Sequence, residues 1–445
     1  MYDFDFSGAQ AYLIGTINET ISRREPYRLE RMRVFLRELG DPQKAYPTVQ
    51  IGGTSGKGST ATMAAAALAA SGRRTGLHTK PHLRSMTERA RIDGAAISEE
   101  RFAETLSAMM PAIERTAAQF GRPSYYETLL ALAFTHFAQE RVDIAVIEVG
   151  LGGRLDGTNV IVPEVCAITS VGFDHMDVLG ETIEAIAREK AGIIKPGVPV
   201  VTAVTDPQAL AVIEEEARVT GAALIRVDES ARIDALPGER FGQSFRVVTE
   251  RASYDLFMPV LGIFQRRNAA TAILALEALP DTLRPDADAV ERGLAGVAIP
   301  GRMEVFPGHP TLVFDIAHNA EKAANLVASL AETFPQRRFT FVVAIGESKD
   351  AQQIIVQLAS VPANFVFTTF AAAGRESTKP QRLASIAETV GAWGRSIADP
   401  IEALAVARRN VPAGDVVVVT GSTFIVAELR EWWVENVGHA RAFLA

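Results

Sequence analysis

The chain has 445 residues, of which 48% are hydrophobic, and its formal net charge is −8. This length gives room for two or more domains with full cores, and the composition is that of a globular protein. The acidic balance, without a basic stripe, argues against a general nucleic-acid partner. The single cysteine excludes an internal disulfide framework. With no signal-peptide pattern and no apolar run of membrane-spanning length, we expect a cytoplasmic location and no membrane partner.

Strand-like and helix-like segments alternate along the first part of the chain. Residues 1–47 are predicted to be helical, with charged stretches such as 23–38. The predicted strands are 48–51, 144–149, 165–170 and 198–203. The predicted helices are 61–70, 99–120, 126–140, 183–191, 207–219 and 267–279. Residues 226–258 are β-rich and are predicted to form a small antiparallel insertion. The alternation predicts an α/β fold with a parallel sheet covered by helices.

A domain boundary is predicted near residues 296–302, where Pro300 and Gly301 interrupt the pattern. Beyond it the alternation restarts. The predicted strands there are 312–315, 339–345, 365–369 and 415–420, and the predicted helices are 321–334 and 424–436. We therefore expect a larger domain at 1–297 followed by a smaller α/β domain at 298–445.

The most informative segment follows the first predicted strand. It consists of Gly53, Thr54, Ser55, Gly56, Lys57, Gly58, Ser59 and Thr60. Glycines let backbone N–H groups point at phosphate oxygens, and the next helix adds positive charge from its N-terminus. Lys57 can reach terminal phosphates, and a hydroxyl from Ser59 or Thr60 can hold Mg²⁺. The segment predicts a nucleoside triphosphate site, although Gly58 separates the lysine from the hydroxyl. The alternative is a strand-to-helix turn without a ligand.

A carboxylate, Glu148, stands near the end of the apolar strand 144–149, and a glycine-rich loop carrying Arg154 and Asp156 follows. Ligands bind at such strand ends in open α/β sheets, and a lone carboxylate there is placed to bind the Mg²⁺ of a nucleotide. The alternative is that Glu148 caps a helix or forms an ion pair with Arg154.

Two further segments carry candidate groups. His175 lies between Asp174 and Asp177 after the strand 165–170, where a histidine is a candidate ligand or acid–base group. Lys190 lies near the end of a predicted helix, and the alternative for it is a cation that interacts favourably with the helix dipole.

Four residues in or beside the smaller domain are weaker candidates: Asn268, Arg302, Asp315 and His318. Asp315 ends an apolar strand, which is again the ligand-facing end. Arg302 and His318 are candidates to meet phosphates or a carboxylate in a cleft between the domains.

Together these motifs resemble the folylpolyglutamate synthase/dihydrofolate synthase family of the Mur ligase superfamily. The resemblance runs from about residue 25 to the C-terminus and is most specific at 148–159 and 189–196. It implies a P-loop-containing parallel-sheet ATPase domain at 1–297. A smaller Rossmann-like glutamate-ligase domain would follow at 298–445.

The resemblance also implies an activity. ATP would phosphorylate the carboxylate of a folate-type acid, dihydropteroate or folylpolyglutamate, and the amine of L-glutamate would attack the acyl phosphate. The implied metal ligands for Mg²⁺ are Ser59, Glu148 and His175, and Lys190 would carry a carbamate. The implied nucleotide contacts beyond the phosphate loop are Asn268, Arg302 and Asp315. The implied substrate-binding residues are Arg89, Arg154, Asp156, His318 and Ser422.

Three positions depart from the family pattern. Lys80 stands where the family has a serine that helps to hold a second metal, so the number of metal ions is open. Phe264 and Ala320 replace a usual histidine and a usual proline. Two alternatives follow: a ligase that acts on a non-folate acid, and a nucleotide-binding regulatory protein without ligase activity.

Overall fold

The computed structural model describes residues 2–17, 29–237, 242–372, 375–409, 411–412 and 414–437. The predicted helical stretch at 18–28 therefore lies outside the described residues. The chain forms two compact units. The first comprises Met1–Leu236, Ser244–Phe257 and Arg267–Val297, and the second comprises Pro237–Gln243, Met258–Arg266 and Ala298–Ala445. Within the described residues, no helix has the length and apolar character needed to cross a membrane.

An eight-stranded sheet forms the centre of the first unit. Its strands are β1 (Thr48–Gly52), β2 (Thr75–His78), β3 (Arg91–Ile92), β4 (Ala95–Ala96), β5 (Ile144–Glu148), β6 (Val165–Ile168), β7 (Val200–Thr202) and β8 (Leu224–Arg226). The spatial order is β4-β3-β2-β5-β1-β6-β7-β8. Pairing is parallel from β2 to β8, and only β3 and β4 are antiparallel. Every residue of β1 and β5 is buried, which is typical of central strands covered on both faces.

Helices precede, separate and follow these strands along the chain. They are α1 (Phe6–Gly15), α2 (Leu29–Glu38), α3 (Lys57–Ala70), α4 (Glu99–Phe120), α5 (Tyr125–Gln139), α6 (Met176–Leu179), α7 (Ile183–Ala191), α8 (Pro207–Thr220), α9 (Val227–Ser230), α10 (Ile263–Glu277) and α11 (Ala287–Ala295). The start of α5 is fixed by a capping box, in which Ser124 and Glu127 each accept the other's backbone N–H through their side chains. A cluster that includes Phe35, Phe102 and Phe134 packs α2, α4 and α5 together.

The predicted helix at 61–70 begins four residues earlier, at Lys57. Gly56 adopts a left-handed conformation (φ 84°) and forms the N-cap, so the lysine and hydroxyl residues of the motif are the first turn of α3. The structure also confirms the antiparallel insertion. There β9 (Ala231–Ala235) and β10 (Gln243–Thr249) pair antiparallel, and β11 (Ser253–Met258) completes a three-stranded sheet.

The second unit contains a six-stranded sheet. Its strands are β12 (Glu304–Phe306), β13 (Thr311–Phe314), β14 (Phe339–Val343), β15 (Ala363–Phe367), β16 (Gly394–Ser396) and β17 (Val416–Thr420), in the order β12-β13-β17-β14-β15-β16. All pairs are parallel except β12 with β13. The rings of Phe341 and Phe365 stack across β14 and β15 with their centroids 5.5 Å apart. Both units confirm the predicted α/β class.

The helices of the second unit are α12 (Ala320–Thr333), α13 (Ala351–Leu358), α14 (Pro380–Thr389), α15 (Pro400–Arg409) and α16 (Thr423–Asn436). The sequence predicted α12 and α16 but missed α13, α14 and α15, together with the three-residue strands β12 and β16. These helices have only eight to ten residues, and β16 has three exposed residues, so each gives a weak periodic signal.

Candidate active site

The strands β2, β5, β1 and β6 are adjacent and parallel, so their carboxyl ends meet at one edge of the sheet. The phosphate-loop segment follows β1, Glu148 ends β5, Lys80 lies two residues after β2, and the loop with His175 follows β6. In register, Ile51 pairs with Glu148 and His78 with Ile147. The fold thereby brings these separate sequence motifs to one edge, where ligands bind in such sheets.

The phosphate loop is held by the loop after β6. Thr169 Oγ1 donates to the Ser55 carbonyl at 2.6 Å, and the Ser55 N–H donates to Ser170 Oγ at 2.9 Å. The Thr54 N–H donates to the Ser170 carbonyl at 2.8 Å. Sequence reasoning missed Thr169 and Ser170 as supports of the site, and the only signal for them was two hydroxyl residues at the end of an apolar strand.

Glycine is required at two positions of this loop because both have positive φ and close neighbours. A β-carbon at Gly53 (φ 135°) would collide with Thr169 Oγ1, and one at Gly56 (φ 84°) would collide with Asn268 Oδ1. The second contact places the Asn268 amide directly against the phosphate loop, although 212 residues separate them in sequence. This position suits the predicted contact of Asn268 with a nucleotide.

We expect Gly56→Ala to cost more stability than Gly197→Ala. Both glycines have positive φ, but nothing lies within 4 Å of a β-carbon at Gly197. The control, Gly197→Ala, should therefore lose about 1–2 kcal/mol of unfolding free energy, the cost of the left-handed conformation alone. Gly56→Ala should lose a further ~1–3 kcal/mol from crowding against Asn268. Urea unfolding of both variants measures the difference, and equal losses would show that the Asn268 contact is unimportant for folding.

Two lysine ammonium groups meet the same backbone carbonyl. Lys57 Nζ donates to the Gly53 carbonyl at 2.9 Å and to the Thr54 carbonyl at 3.2 Å. Lys190, which is buried, donates to the Gly53 carbonyl at 3.0 Å. The two predicted catalytic lysines thus both contact the phosphate loop, although they lie on different helices, α3 and α7.

Glu148 is buried against the first turn of α3. Its Oε2 accepts the Lys80 backbone N–H at 2.8 Å, and a β-carbon at Gly58 would lie 3.2 Å from that oxygen. The absence of a side chain at Gly58 therefore gives the carboxylate room against this turn, which also contains the buried Ser59. The alternative partner Arg154 instead lies 3.8 Å from Glu216.

These residues fit a magnesium ion bound to a nucleotide. Within the described residues, no group of three or more His, Cys, Asp or Glu side chains is arranged to hold a metal by itself. Mg²⁺ commonly binds through one or two carboxylates together with substrate phosphates, and the Glu148 carboxylate against the turn that carries Ser59 matches that pattern. His175 lies in an exposed loop with φ 52°, and its Nε2 is 3.8 Å from Asp174 Oδ1. Its role as a metal ligand stays a prediction.

Replacing Glu148 by glutamine should abolish Mg²⁺-dependent activity and leave the fold intact. The amide oxygen can still accept the Lys80 N–H, but it lacks the charge that a hard cation requires. We expect at least a roughly 10- to 100-fold loss of Mg²⁺ affinity. The control Glu140→Gln changes a carboxylate that pairs with Arg74 and should retain the Mg²⁺ affinity. Unchanged Mg²⁺ dependence at unchanged thermal stability would make Glu148 a structural residue.

Lys80 is half-buried at the same edge. Burial, reinforced by the positive charge of Lys57, lowers its pKa to about 8, while Glu148 opposes this shift. The side chain is therefore mainly protonated at neutral pH.

A buried cation, Arg89, lies beyond β2. Its Nε donates to His82 Nδ1 at 2.9 Å, and its guanidinium carbon lies 5.6 Å from the centroid of the Tyr125 ring. Burial and the charge of Arg89 lower the pKa of His82 to about 4, so this histidine is neutral and can accept the bond. His78 Nδ1 lies 2.7 Å from the Arg89 carbonyl. Sequence reasoning proposed Arg89 as a substrate-binding residue but missed the ring and the two histidines that contact it.

The glycine-rich loop after β5 is closed by Asp156. This buried carboxylate accepts the N–H groups of Leu151 at 2.8 Å and Thr158 at 2.9 Å, and the hydroxyl of Tyr126 at 3.1 Å. These bonds indicate that Asp156 shapes the loop. Arg154 is exposed and donates to the Arg188 carbonyl at 3.2 Å.

The second unit carries its candidates at the carboxyl ends of β13 and β17, which are adjacent. Asp315 is buried, accepts the Met303 and Ala317 N–H groups at 2.9 Å each, and has its pKa raised by burial. Arg302 is half-buried and opposes that shift. Ser422 is the N-cap of α16, where its Oγ accepts the Phe424 N–H at 3.2 Å.

His318 is held in a neutral state in that unit. Burial, reinforced by the charge of Lys322, lowers its pKa to about 3. Its Nδ1 lies 2.8 Å from the Ile316 carbonyl, and its Nε2 lies 3.1 Å from Lys322 Nζ. The neutral ring therefore donates through Nδ1 and accepts through Nε2.

Comparisons with known proteins agree with this arrangement. Residues 51–276 match the Mur ligase middle domain, and residues 301–423 match the Mur ligase glutamate ligase domain. The dihydrofolate synthase/folylpolyglutamate synthase of Bacillus subtilis is 34% identical over 91% of this chain and 94% of its own length. A probable bifunctional folylpolyglutamate synthase/dihydropteroate synthase of Haloferax volcanii is 35% identical over 92% of this chain, which spans only 48% of that longer protein.

The folylpolyglutamate synthase of Mycobacterium tuberculosis, solved in complex with ADP, superimposes with a TM-score of 0.86 at 33% identity. The match covers 96% of this chain and 99% of that one. Because the domain models cover most of the sequence and these relatives cover nearly all of it, the chain belongs to the folylpolyglutamate synthase/dihydrofolate synthase family of ATP-dependent ligases.

Proposed function

We propose that this protein joins L-glutamate to a folate-type carboxylate, either dihydropteroate or a folylpolyglutamate, and that it consumes ATP through an acyl phosphate. The observation that carries the proposal is the single sheet edge where the phosphate loop, Glu148 and Lys190 come together. A protein that only bound a nucleotide would have little use for a buried carboxylate and a second buried lysine beside the loop.

In this reaction the site must bring two anions together, the substrate carboxylate and the γ-phosphate of ATP. In the first step a carboxylate oxygen of the acid bonds to the γ-phosphorus of ATP, and the bond to ADP breaks. The loop N–H groups and Lys57 would hold the phosphates during this step. Mg²⁺ bound by Ser59, Glu148 and His175 would neutralise charge on the transferred group. The amine of glutamate then attacks the acyl carbon, phosphate leaves, and the nitrogen loses its proton.

The remaining residues are proposed as binding groups. In the ATP-binding central domain, 1–297, Asn268 would contact the nucleotide beside the loop. Arg89, a buried cation held by His82, would bind a substrate carboxylate. Further substrate contacts would come from Arg154 and from the loop that Asp156 shapes.

In the glutamate-ligase domain, 298–445, Arg302 and Asp315 would bind the nucleotide, and His318 and Ser422 would bind glutamate. The neutral state of His318 supports this, because its Nε2 can accept a hydrogen bond. That bond comes from the Lys322 ammonium in the structure and would come from the ammonium group of the incoming amino acid in the complex.

The test is a substrate panel. Purified protein receives ATP, Mg²⁺ and L-glutamate with dihydropteroate, a reduced folate, a folylpolyglutamate or a non-pteridine carboxylic acid. We expect phosphate release and a product one glutamate longer only with the pteridine acids. Equal turnover of the non-pteridine acid would support the alternative ligase. Phosphate release that no acid stimulates would contradict ligase activity altogether.

A further inference from the structure

The backbone of Lys80 is hydrogen-bonded to Glu148, the carboxylate proposed to bind Mg²⁺. Lys80 lies two residues beyond β2, which pairs in parallel with β5, and its backbone N–H donates to Glu148 Oε2 at 2.8 Å. Lys57 and Lys80 therefore follow the two strands on either side of β5. Since neighbouring strands are about 4.8 Å apart, the carboxyl ends of β1 and β2 lie roughly 10 Å from one another, with β5 and its last residue, Glu148, between them.

The cations around Lys80 have partners, and Lys80 differs from them. Lys57 and Lys190 donate to the Gly53 carbonyl, and Arg89 donates to His82. In the part of the chain that the structure describes, the Lys80 ammonium forms no hydrogen bond and no ion pair within 4.0 Å, and the carboxylates of Glu148 and Asp156 attract it only from a longer distance. A half-buried charge without a contacting partner is costly, so this position is suited to an anion supplied by a ligand.

We propose, on the basis of the function proposed above, that Lys80 is a catalytic residue whose ammonium binds the phosphoryl group during its transfer from ATP to the substrate carboxylate. Lys57 would hold the phosphates from the β1 side, and Lys80 would meet the transferred group from the β2 side. The oxygen–phosphorus bond to ADP breaks as the bond to the carboxylate oxygen forms. Lys80 exchanges no proton in this step and contributes only a fixed positive charge.

The position also sets an expectation for metal binding. A cation that is part of the protein occupies space and supplies charge next to Glu148, so one divalent ion should suffice. Lys80→Ser would remove the charge and offer a neutral oxygen, which a second ion can use.

The first experiment compares ligands with and without a γ-phosphate. In Lys80→Met, the affinity for the β,γ-methylene analogue of ATP should fall about tenfold, while the affinity for ADP stays within about twofold. The turnover number should fall about 100-fold, as for the loss of one donor to a transition-state anion. Lys80→Arg should recover part of the analogue affinity and part of the turnover number. The control Lys44→Met removes an exposed lysine that pairs with Asp41, and it should change neither the analogue affinity nor the turnover number.

The outcomes separate the two proposals. If Lys80→Met loses both ligands equally together with thermal stability, Lys80 is structural and the inference fails. If Lys80→Met keeps full turnover and analogue affinity, the inference also fails, while acid-dependent phosphate release by the parent protein leaves the proposed function standing. If the parent releases no phosphate with any acid, the proposed function fails, and the comparison of ADP with the analogue still tests Lys80.

The second experiment counts metal ions by direct binding of Mn²⁺ at saturating β,γ-methylene ATP. We expect one tightly bound ion in the parent protein and a second ion in Lys80→Ser. Two equally occupied sites in the parent protein would overturn the inference, because Lys80 would then not take the place of a divalent ion.

Discussion

Replacing Lys57 by alanine should reduce turnover by at least about 10²–10³-fold, the usual effect of removing one group that stabilises transition-state charge. The ammonium at this position would offset the negative charge that develops on the transferred phosphoryl group. Its bonds to the Gly53 and Thr54 carbonyls also help to hold the loop, so ATP affinity should fall as well.

The measurements for Lys57→Ala are the turnover number, the dissociation constant for a non-hydrolysable ATP analogue, and the unfolding midpoint. Lys44→Met again serves as the control for a lost positive charge on the surface. If the variant folds normally and turns over at a near-normal rate, the nucleotide does not bind at the loop after β1.

Lys190 should carry a carbamate in the active protein. As free ammonium groups, Lys190 and Lys57 would both donate to one carbonyl, at 3.0 and 2.9 Å. Two like charges so placed repel each other by roughly 3 kcal/mol at an effective dielectric constant near 20. Reaction of the neutral amine with carbon dioxide, with loss of a proton, turns Lys190 into an anion and makes that interaction attractive.

Carbon-13-labelled carbon dioxide tests this modification directly. A carbamate signal should appear in the parent protein, disappear in Lys190→Ala, and persist in Lys195→Ala, a half-buried lysine from the same segment that bonds to Asn159. Lys190→Ala should lose activity and regain part of it with a small added carboxylate. An unmodified lysine in high-resolution density of the active, nucleotide-bound protein would contradict the prediction.

Local motifs made the core of the site predictable. The segment from Gly53 to Thr60 combines glycines, a lysine and hydroxyl residues within one turn and one helix start, so its chemistry needs no distant partner to be recognised. The position of Glu148 followed from one apolar strand and the rule for strand ends. The α/β class followed from the alternation of elements in the same way.

Long-range contacts were outside the reach of sequence reasoning. The bonds that Thr169 and Ser170 make to Ser55 join loops more than 100 residues apart, and the same holds for Asn268 at Gly56. Asp156 stays predicted as a substrate-binding residue, but sequence reasoning did not find its role within the glycine-rich loop. Only the three-dimensional structure shows that its oxygens accept bonds from the loop.

Transfer of isotopic oxygen tests directly whether ATP activates the substrate carboxylate as an acyl phosphate. The acid is labelled with oxygen-18 in the reacting carboxylate, and the phosphate released during glutamate ligation is examined by mass spectrometry or phosphorus NMR. If an acyl phosphate forms, each phosphate released should carry one labelled oxygen, and the new amide should retain the other. Phosphate without label, formed at the rate of ligation, would contradict this mechanism.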